Sequence, residues 1–210
     1  MGEKSNVKQN ILAAALALFS AKGYDGTSVN ELVLAARITK PTLYYHFGSK
    51  EGLFDAVCQE NYERLNAAIA ENASYREDIS KTLTNITIAY FSFATENEMF
   101  YRLAMANLHM PLSSTVYNIA KKCHHKQHEI VEKVFAQVSK SHDLRGMGKQ
   151  ISHLFIGSIN SCITLSHTGL HESELDADTA KRLVHWFIHG FIPTSPYRNN
   201  YQYSTSINRY

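Results

Sequence analysis

Apolar side chains recur along this chain at three- and four-residue spacing, interrupted by short polar stretches, and that period predicts a succession of amphipathic helices. Over residues 6–22, Ile11, Leu12, Ala15, Leu16 and Phe19 form one stripe, which Gly23 ends as a C′ residue would. Two short helical segments follow. Ser28 and Glu31 make a capping box ahead of inward-facing Leu32, Ala35 and Ala36. After the turn at Arg37-Ile38, Thr39 is placed to cap a second short helix with Pro41 in its first turn, where a missing N–H costs little. Ser49 then caps a long helix to about residue 71, whose buried side reads Leu53, Phe54, Val57, Cys58, Tyr62, Leu65 and Ile69.

The later segments are greasier. Residues 77–97 are apolar on several faces, which predicts a centrally buried helix. Residues 99–110 carry Phe100, Tyr101, Leu103, Met105 and Leu108 before Pro111 stops them. A longer helix begins at Ser113 or Ser114 and turns Val116, Ile119, Cys123, Ile130, Val134 and Val138 inward. Residues 149–167 present Ile151, Leu154, Phe155, Ile159, Cys162 and Leu165, with small Gly157, Ser158 and Ser161 in the middle. Asp178 is expected to cap a last helix to Gly190, striped by Leu183, Val184, Phe187, Ile188 and Phe191. No segment reads as a strand, so the expected fold is all-α with about nine helices. Three regions are expected: residues 1–48, residues 49–192 and a polar, Tyr-rich tail over residues 193–210.

Composition narrows the class. With 210 residues, 44% hydrophobic and 19% charged, the chain has enough apolar material for a sizeable core. Its net charge of +2 points only weakly to nucleic acid, but residues 1–50 carry six Lys and Arg against three acidic residues. Three widely spaced cysteines, Cys58, Cys123 and Cys162, suggest neither a disulfide framework nor a zinc site. The polar N-terminus lacks a signal-peptide core and no apolar run reaches membrane-spanning length, so a soluble cytoplasmic protein is expected.

The two short helices across a tight turn make a helix-turn-helix, whose second helix is shaped to enter the DNA major groove. Thr27 and Ser28 stand where a helix N-terminus meets phosphate, while Thr39, Lys40, Pro41 and Thr42 open the second helix and are best placed for base edges. Lys40 is a donor to guanine, Pro41 and the Thr42 methyl suit thymine methyls, and Asn30 reaches from the preceding helix. Leu43, Tyr45 and Phe47 are expected to pack the small core.

Ile11-Leu12-x-Ala14-Ala15-x-x-Leu18-Phe19, Gly23-Tyr24-x-x-Thr27-Ser28-Val29, Thr42-Leu43-Tyr44-Tyr45-His46-Phe47 and Ser49-Lys50-Glu51-x-Leu53 together resemble the DNA-binding domain of the TetR family of bacterial transcriptional regulators. The resemblance covers the first quarter of the chain; the remainder matches in length and helical character only. It implies that Tyr44, His46 and Lys50 fix the phosphate backbone, and that the protein is a non-enzymatic regulator, a repressor more than an activator. One residue departs from the pattern. Where the family usually has Gly in the turn this chain has Arg37, which would pay roughly 1–2 kcal/mol in a left-handed conformation, so either the turn differs slightly or the strain is accepted. A solvated charge is the plainer reading of Arg37, a phosphate contact the sharper one.

A single short recognition helix makes few base contacts, so such proteins dimerise to read two half-sites of a palindrome. The last two helices are the candidates for a homodimer, through Ile151, Phe155, Ser158, Cys162, Val184, Phe187, Ile188 and Phe191. By the resemblance, the middle helices enclose a small-molecule effector pocket, with Tyr90, Phe93, Phe100, Tyr101, Met105, Tyr117 and Phe155 as its candidate lining. No cofactor is implied. His124 and His128 stand one helical turn apart at a chelating spacing, but Lys121, Lys122 and Lys126 suggest a solvated face that repels cations, so no metal is expected. There is no HExxH, no Gly-rich phosphate loop and no nucleophile elbow. The alternative to a DNA-binding regulator is a helical small-molecule- or metal-binding protein without DNA binding.

Overall fold

Ser28, Thr39, Ser49, Asp78, Ser114 and Asp176 each accept a hydrogen bond from the backbone N–H three residues on, and these side chains set where six of the helices begin in a computed structural model. The structure describes residues 2–169 and 174–190, with side chains from residue 6 on. Among the described residues there are nine helices and no strand: α1 (Gly2–Lys22), α2 (Val29–Ala35), α3 (Lys40–Phe47), α4 (Lys50–Asn72), α5 (Ile79–Glu96), α6 (Glu98–Asn107), α7 (Thr115–Val138), α8 (Gly148–His167) and α9 (Ala177–His189). The all-α expectation is met. The tail over residues 193–210 and Phe191 lie outside the described residues.

Buried side chains run continuously from Ile11 to Val184. Ile11, Ala15 and Phe19 of α1, Leu32 of α2 and Leu43 of α3 meet Leu53 and Phe54 of α4, so the short helices, which could not persist alone, are held against two longer ones. Farther along, α4 lies against α5 and α7. Each side chain expected on its inner face is buried, and the polar Asn61 joins them by donating its amide to the Val57 carbonyl. One helix therefore passes from the N-terminal trio into the body. The central α5 also contacts α6, α8 and α9, which explains why its apolar residues cover more than one face.

Three local expectations need correcting. Asp176, not Asp178, caps α9: its Oδ1 accepts from the Thr179 N–H at 2.7 Å, leaving Asp178 in the first turn. Ala35, at the last position of α2, is exposed while Leu32 and Ala36 are buried. Leu154 and Leu165 of α8 are exposed too, so its apolar stripe is wider than the part its own chain covers.

Candidate functional site

The helix-turn-helix is set by side chain to backbone bonds at each of its corners. Ser28 and Glu31 form the reciprocal capping box, with Ser28 Oγ accepting from the Glu31 N–H at 3.2 Å and Glu31 Oε2 accepting from the Ser28 N–H at 2.8 Å. Lys22 reaches the other Glu31 oxygen at 2.5 Å, and these bonds, that of Lys22 first and those of Ser28 after it, hold the Glu31 carboxyl down at about 2. At the far end of α2, the Arg37 N–H donates to the Leu34 carbonyl and the Ile38 N–H to the Val33 carbonyl. These paired bonds make a Schellman turn, whose C′ residue must be left-handed. Arg37 occupies it with φ 55°, so the turn is the glycine-type turn and the strain is accepted.

Beyond the turn, Thr39 caps α3 and shares a 2.9 Å hydroxyl contact with Thr42. The α3–α4 corner is closed by Gly48, with φ 73°, and by Gly52, where an added Cβ would stand 2.1 Å from the Phe47 carbonyl oxygen. Gly52 is thus a site residue that motif reading passed over. Its signal was only an unassigned position in the Ser49–Leu53 stretch, and the reason for glycine is a close backbone approach that no local pattern reveals.

The placement of the expected DNA contacts divides three ways. Ser28, Asn30, Thr39, Lys40, Pro41 and Tyr44 are exposed, and Thr42, His46 and Lys50 are half-buried at the margin of the same region. Lys50 Nζ sits 4.2 Å from the centre of the Tyr24 ring, a cation–π contact that restrains the side chain. Thr27 lies inside: it is 1% exposed, and its hydroxyl lies within hydrogen-bonding distance of the Leu18 and Gly23 carbonyls, so it anchors the α1–α2 turn and is withdrawn from phosphate. Tyr45 is reversed as well. It was expected in the core but is 75% exposed, with its ring edge-on to His46. Leu43 and Phe47, four residues apart, share the inner face, while Tyr45 is about 200° round from Leu43 at helical pitch. Both tyrosines therefore project from α3. Between Glu31 and Glu51 there is no acidic residue, whereas Arg37, Lys40 and Lys50 are basic. An acid-free face carrying hydroxyls, an ammonium, an imidazole and two phenols can donate to phosphates and to base acceptors.

In the body, the expected pocket residues go mostly into the core. Tyr90, Phe93, Phe100, Tyr101 and Phe155 are buried, Met105 is half-buried, and the rings pack edge to face: Phe100 on Tyr62 and Phe93, Phe155 on Phe135. Tyr101 donates to Asn160, while the buried Tyr90 hydroxyl has no partner among the described residues. Tyr117 instead lines a cleft of about 260 Å³ with His124, His128 and His153. The face expected to be solvated is thus partly interior. His124 is buried and its Nε2 is 2.8 Å from the Tyr62 hydroxyl, because α4 covers this side of α7. Among the described residues no group of three or more metal-ligating side chains is placed to hold an ion.

Of the expected dimer residues, Phe155 and Val184 are fully buried in the chain's own core, which removes them from any surface a second copy could reach. Ile151, Ser158, Cys162 and Phe187 are half-buried and Ile188 is exposed, and Leu154, Leu165 and Trp186 add exposed apolar area on the same two helices. Among the described residues no helix is long and apolar enough to cross a membrane.

Residues 11–57 match the family model described as bacterial regulatory proteins, tetR family. The chain is 38% identical over 66 residues to IcaR of Staphylococcus aureus, a negative transcriptional regulator of the biofilm operon icaADBC, a match that covers 31% of this chain and 36% of that protein. It is 30% identical over 111 residues to the transcriptional repressor NicS of Pseudomonas putida, covering 52% of each. The chain thus spans between about a third and a half of the length of these curated relatives. In fold it resembles FadR of Bacillus subtilis, a transcriptional regulator solved in complex with stearoyl-CoA, with a TM-score of 0.76 at 14% identity over 88% of this chain and 99% of that one.

Proposed function

We propose that this chain is a TetR-family, sequence-specific DNA-binding transcriptional repressor that binds a palindromic operator as a homodimer and is released by a small-molecule effector. The observation that carries the reading is the exposed, acid-free face of α3, presented by a Schellman turn and two capped helices. Lys40, Pro41 and Thr42 would meet base edges, with Asn30 reaching from α2. Ser28, Thr39, Tyr44, Tyr45, His46 and Lys50 would hold the backbone on either side. The boundary between a DNA-reading unit and an effector and dimerisation unit would fall at the α3–α4 corner.

Dimerisation is supported by apolar side chains left exposed on α8 and α9, among them Leu154, Leu165 and Ile188, beside the small residues Gly157 and Ser161. Helices with small residues at their centre approach closely, which suits a four-helix interface between copies. The protein would act on DNA in the cytoplasm. Footprinting on the DNA flanking its own gene tests the whole reading. The expected result is protection of an inverted repeat, with half-sites about 34 Å or a multiple of that apart. No protected repeat at low salt would refute it.

A further inference from the structure

The chain carries a second concentration of functional chemistry, far in sequence from α3, in the cleft of about 260 Å³ between α7 and α8. Lys121, His124, His125 and His128 enter it from α7, and Lys149 and His153 from α8, facing one carboxylate, that of Glu132. Tyr117 and Leu108 give it an apolar wall. Glu132 is already engaged: its Oε1 lies 2.9 Å from His153 Nε2 and 3.6 Å from Lys149 Nζ. The α7 side is not. Lys121 has no ion-pair partner among the described residues, and His128, whose ring stands edge-on to His153 at 4.6 Å, has an Nδ1 with no hydrogen-bond partner among them.

We infer that this cleft is the effector site and that it takes a small organic anion, with a carboxylate head toward Lys121 and His128 and an apolar body against Tyr117 and Leu108. The inference rests on the reading of the chain as a ligand-responsive DNA-binding protein. A cation is disfavoured by two lysines and a missing ligand set, and a large ligand by volume, since pockets for drug-sized molecules start at about 300 Å³. The imidazoles add to the case for an anion. Burial first, and His128 second, holds His124 down to about 4; burial and then His153 lower His128. Imidazoles kept neutral by burial and by each other's charge are groups whose proton affinity an entering anion would raise, so that they take up a proton from water and hold the anion as imidazolium.

The same residues link the cleft to α4. His124 lines it on one side and meets the Tyr62 hydroxyl of α4 at 2.8 Å on the other, and α4 starts at the corner that seats α3. An anion drawing His124 toward the cleft would alter the α4–α7 contact and with it the setting of the reading helix.

The test has two arms. In the first, calorimetry on the purified full chain uses propionate, butyrate, succinate and benzoate, with butyramide as the neutral counterpart of butyrate. At least one carboxylate should bind, and butyrate should exceed butyramide about tenfold, the effect of one charge-assisted hydrogen bond. Lys121→Gln, at an exposed position that folding tolerates, should weaken binding about fivefold, and His128→Gln about tenfold. No carboxylate binding below 10 mM, equal binding of butyrate and butyramide, or indifference to both substitutions would overturn the site.

The second arm measures release of bound DNA by the same carboxylate, with chloride at matched ionic strength as control because DNA affinity falls with salt. Tyr62→Phe should retain carboxylate binding and lose release. Release equal to that of the unaltered chain would overturn the coupling through Tyr62. Failure to bind DNA in the absence of any carboxylate would instead count against the regulator reading, which the first arm does not touch.

Discussion

The α2–α3 unit and the α7–α8 cleft hold comparable sets of polar side chains, yet they obtain their chemistry in opposite ways. In the α2–α3 unit, Ser28, Glu31 and Thr39 bond to backbone three residues away, and the candidate DNA-contacting groups lie at or near the surface. In the cleft, His124, His128 and Glu132 of α7 meet His153 of α8, with Tyr62 of α4 behind His124, and burial and neighbouring groups lower the proton affinity of His124 and His128. Local chemistry makes a surface that is preformed. Chemistry assembled across helices makes one that a bound ligand can alter, which is what the proposed effector site needs.

The largest expected effect is on the cleft side. Because burial lowers the folded-state affinity of His124 for protons to about 4 against an ordinary value of about 6.5, the unfolded chain takes up the proton first as pH falls. Its contribution to stability is therefore complete above pH 6.5, is lost progressively between 6.5 and 4, and is flat below 4. The loss should total roughly 3 kcal/mol. Urea unfolding at pH 7.5 and 4.5, on the unaltered chain and on His124→Gln, measures it; an unchanged pH slope in the variant would assign acid sensitivity elsewhere and erase the contrast. Glu31 offers the matching control on the other unit. Its lowered carboxyl contributes stability present above the ordinary carboxylate range and lost only as pH falls toward about 2.

Next in size is the corner joining the two regions. Gly52→Ala places a methyl group 2.1 Å from a backbone oxygen, and neither α3 nor the first turn of α4 has a flexible side chain there to yield. A cost of about 2 kcal/mol is expected, together with weaker binding to every DNA sequence, since the seating of α3 would shift. A variant as stable as the parent would mean that the corner is looser than its geometry, and that α4 is a poor lever.

The same division explains what was legible beforehand. Helix starts were readable within a residue or two wherever an Asx or Ser/Thr cap stood alone; at α9 two aspartates competed, and only the observed bond to Thr179 selects Asp176. The position of the turn was legible, but whether Arg37 bends it or accepts strain was not; the bonds from Arg37 and Ile38 back to Leu34 and Val33 select the strained form. Leu43, Tyr45 and Phe47 alternate at two-residue spacing, which at helical pitch turns Tyr45 to the face opposite Leu43. Thr27 was misread because its acceptors, the Leu18 and Gly23 carbonyls, belong to the preceding helix and turn. In the body, the aromatic residues gave no means of telling core from cavity: Tyr90 and Tyr117 differ only in what other helices bring to them. His124 looked solvated beside three lysines, and nothing near it announces that Tyr62 of α4 covers it.

A smaller effect sharpens the reading unit alone. Lys40 stands exposed at the first position of α3, where an ammonium meets a guanine edge if the helix enters the major groove. Lys40→Ala should cost about 1–2 kcal/mol on the preferred operator and much less on mismatched DNA, so specificity relaxes. Equal losses on all sequences would move Lys40 to the phosphates.

The smallest expected effect bears on the one residue that departs from the family pattern. Arg37 holds φ 55° at the C′ position of a Schellman turn, is exposed, and has no ion-pair partner among the described residues. Glycine adopts that conformation without the Cβ penalty, so Arg37→Gly should stabilise the chain by about 1 kcal/mol and raise Tm by about 2–4 °C. The salt dependence of DNA binding then decides why arginine stands there. A slope unchanged by the substitution makes Arg37 a solvated charge whose strain has no return in binding. A slope shallower by about one unit makes it a phosphate contact, and the strained turn becomes part of the reading surface, held left-handed so that a guanidinium can reach the backbone where glycine could not.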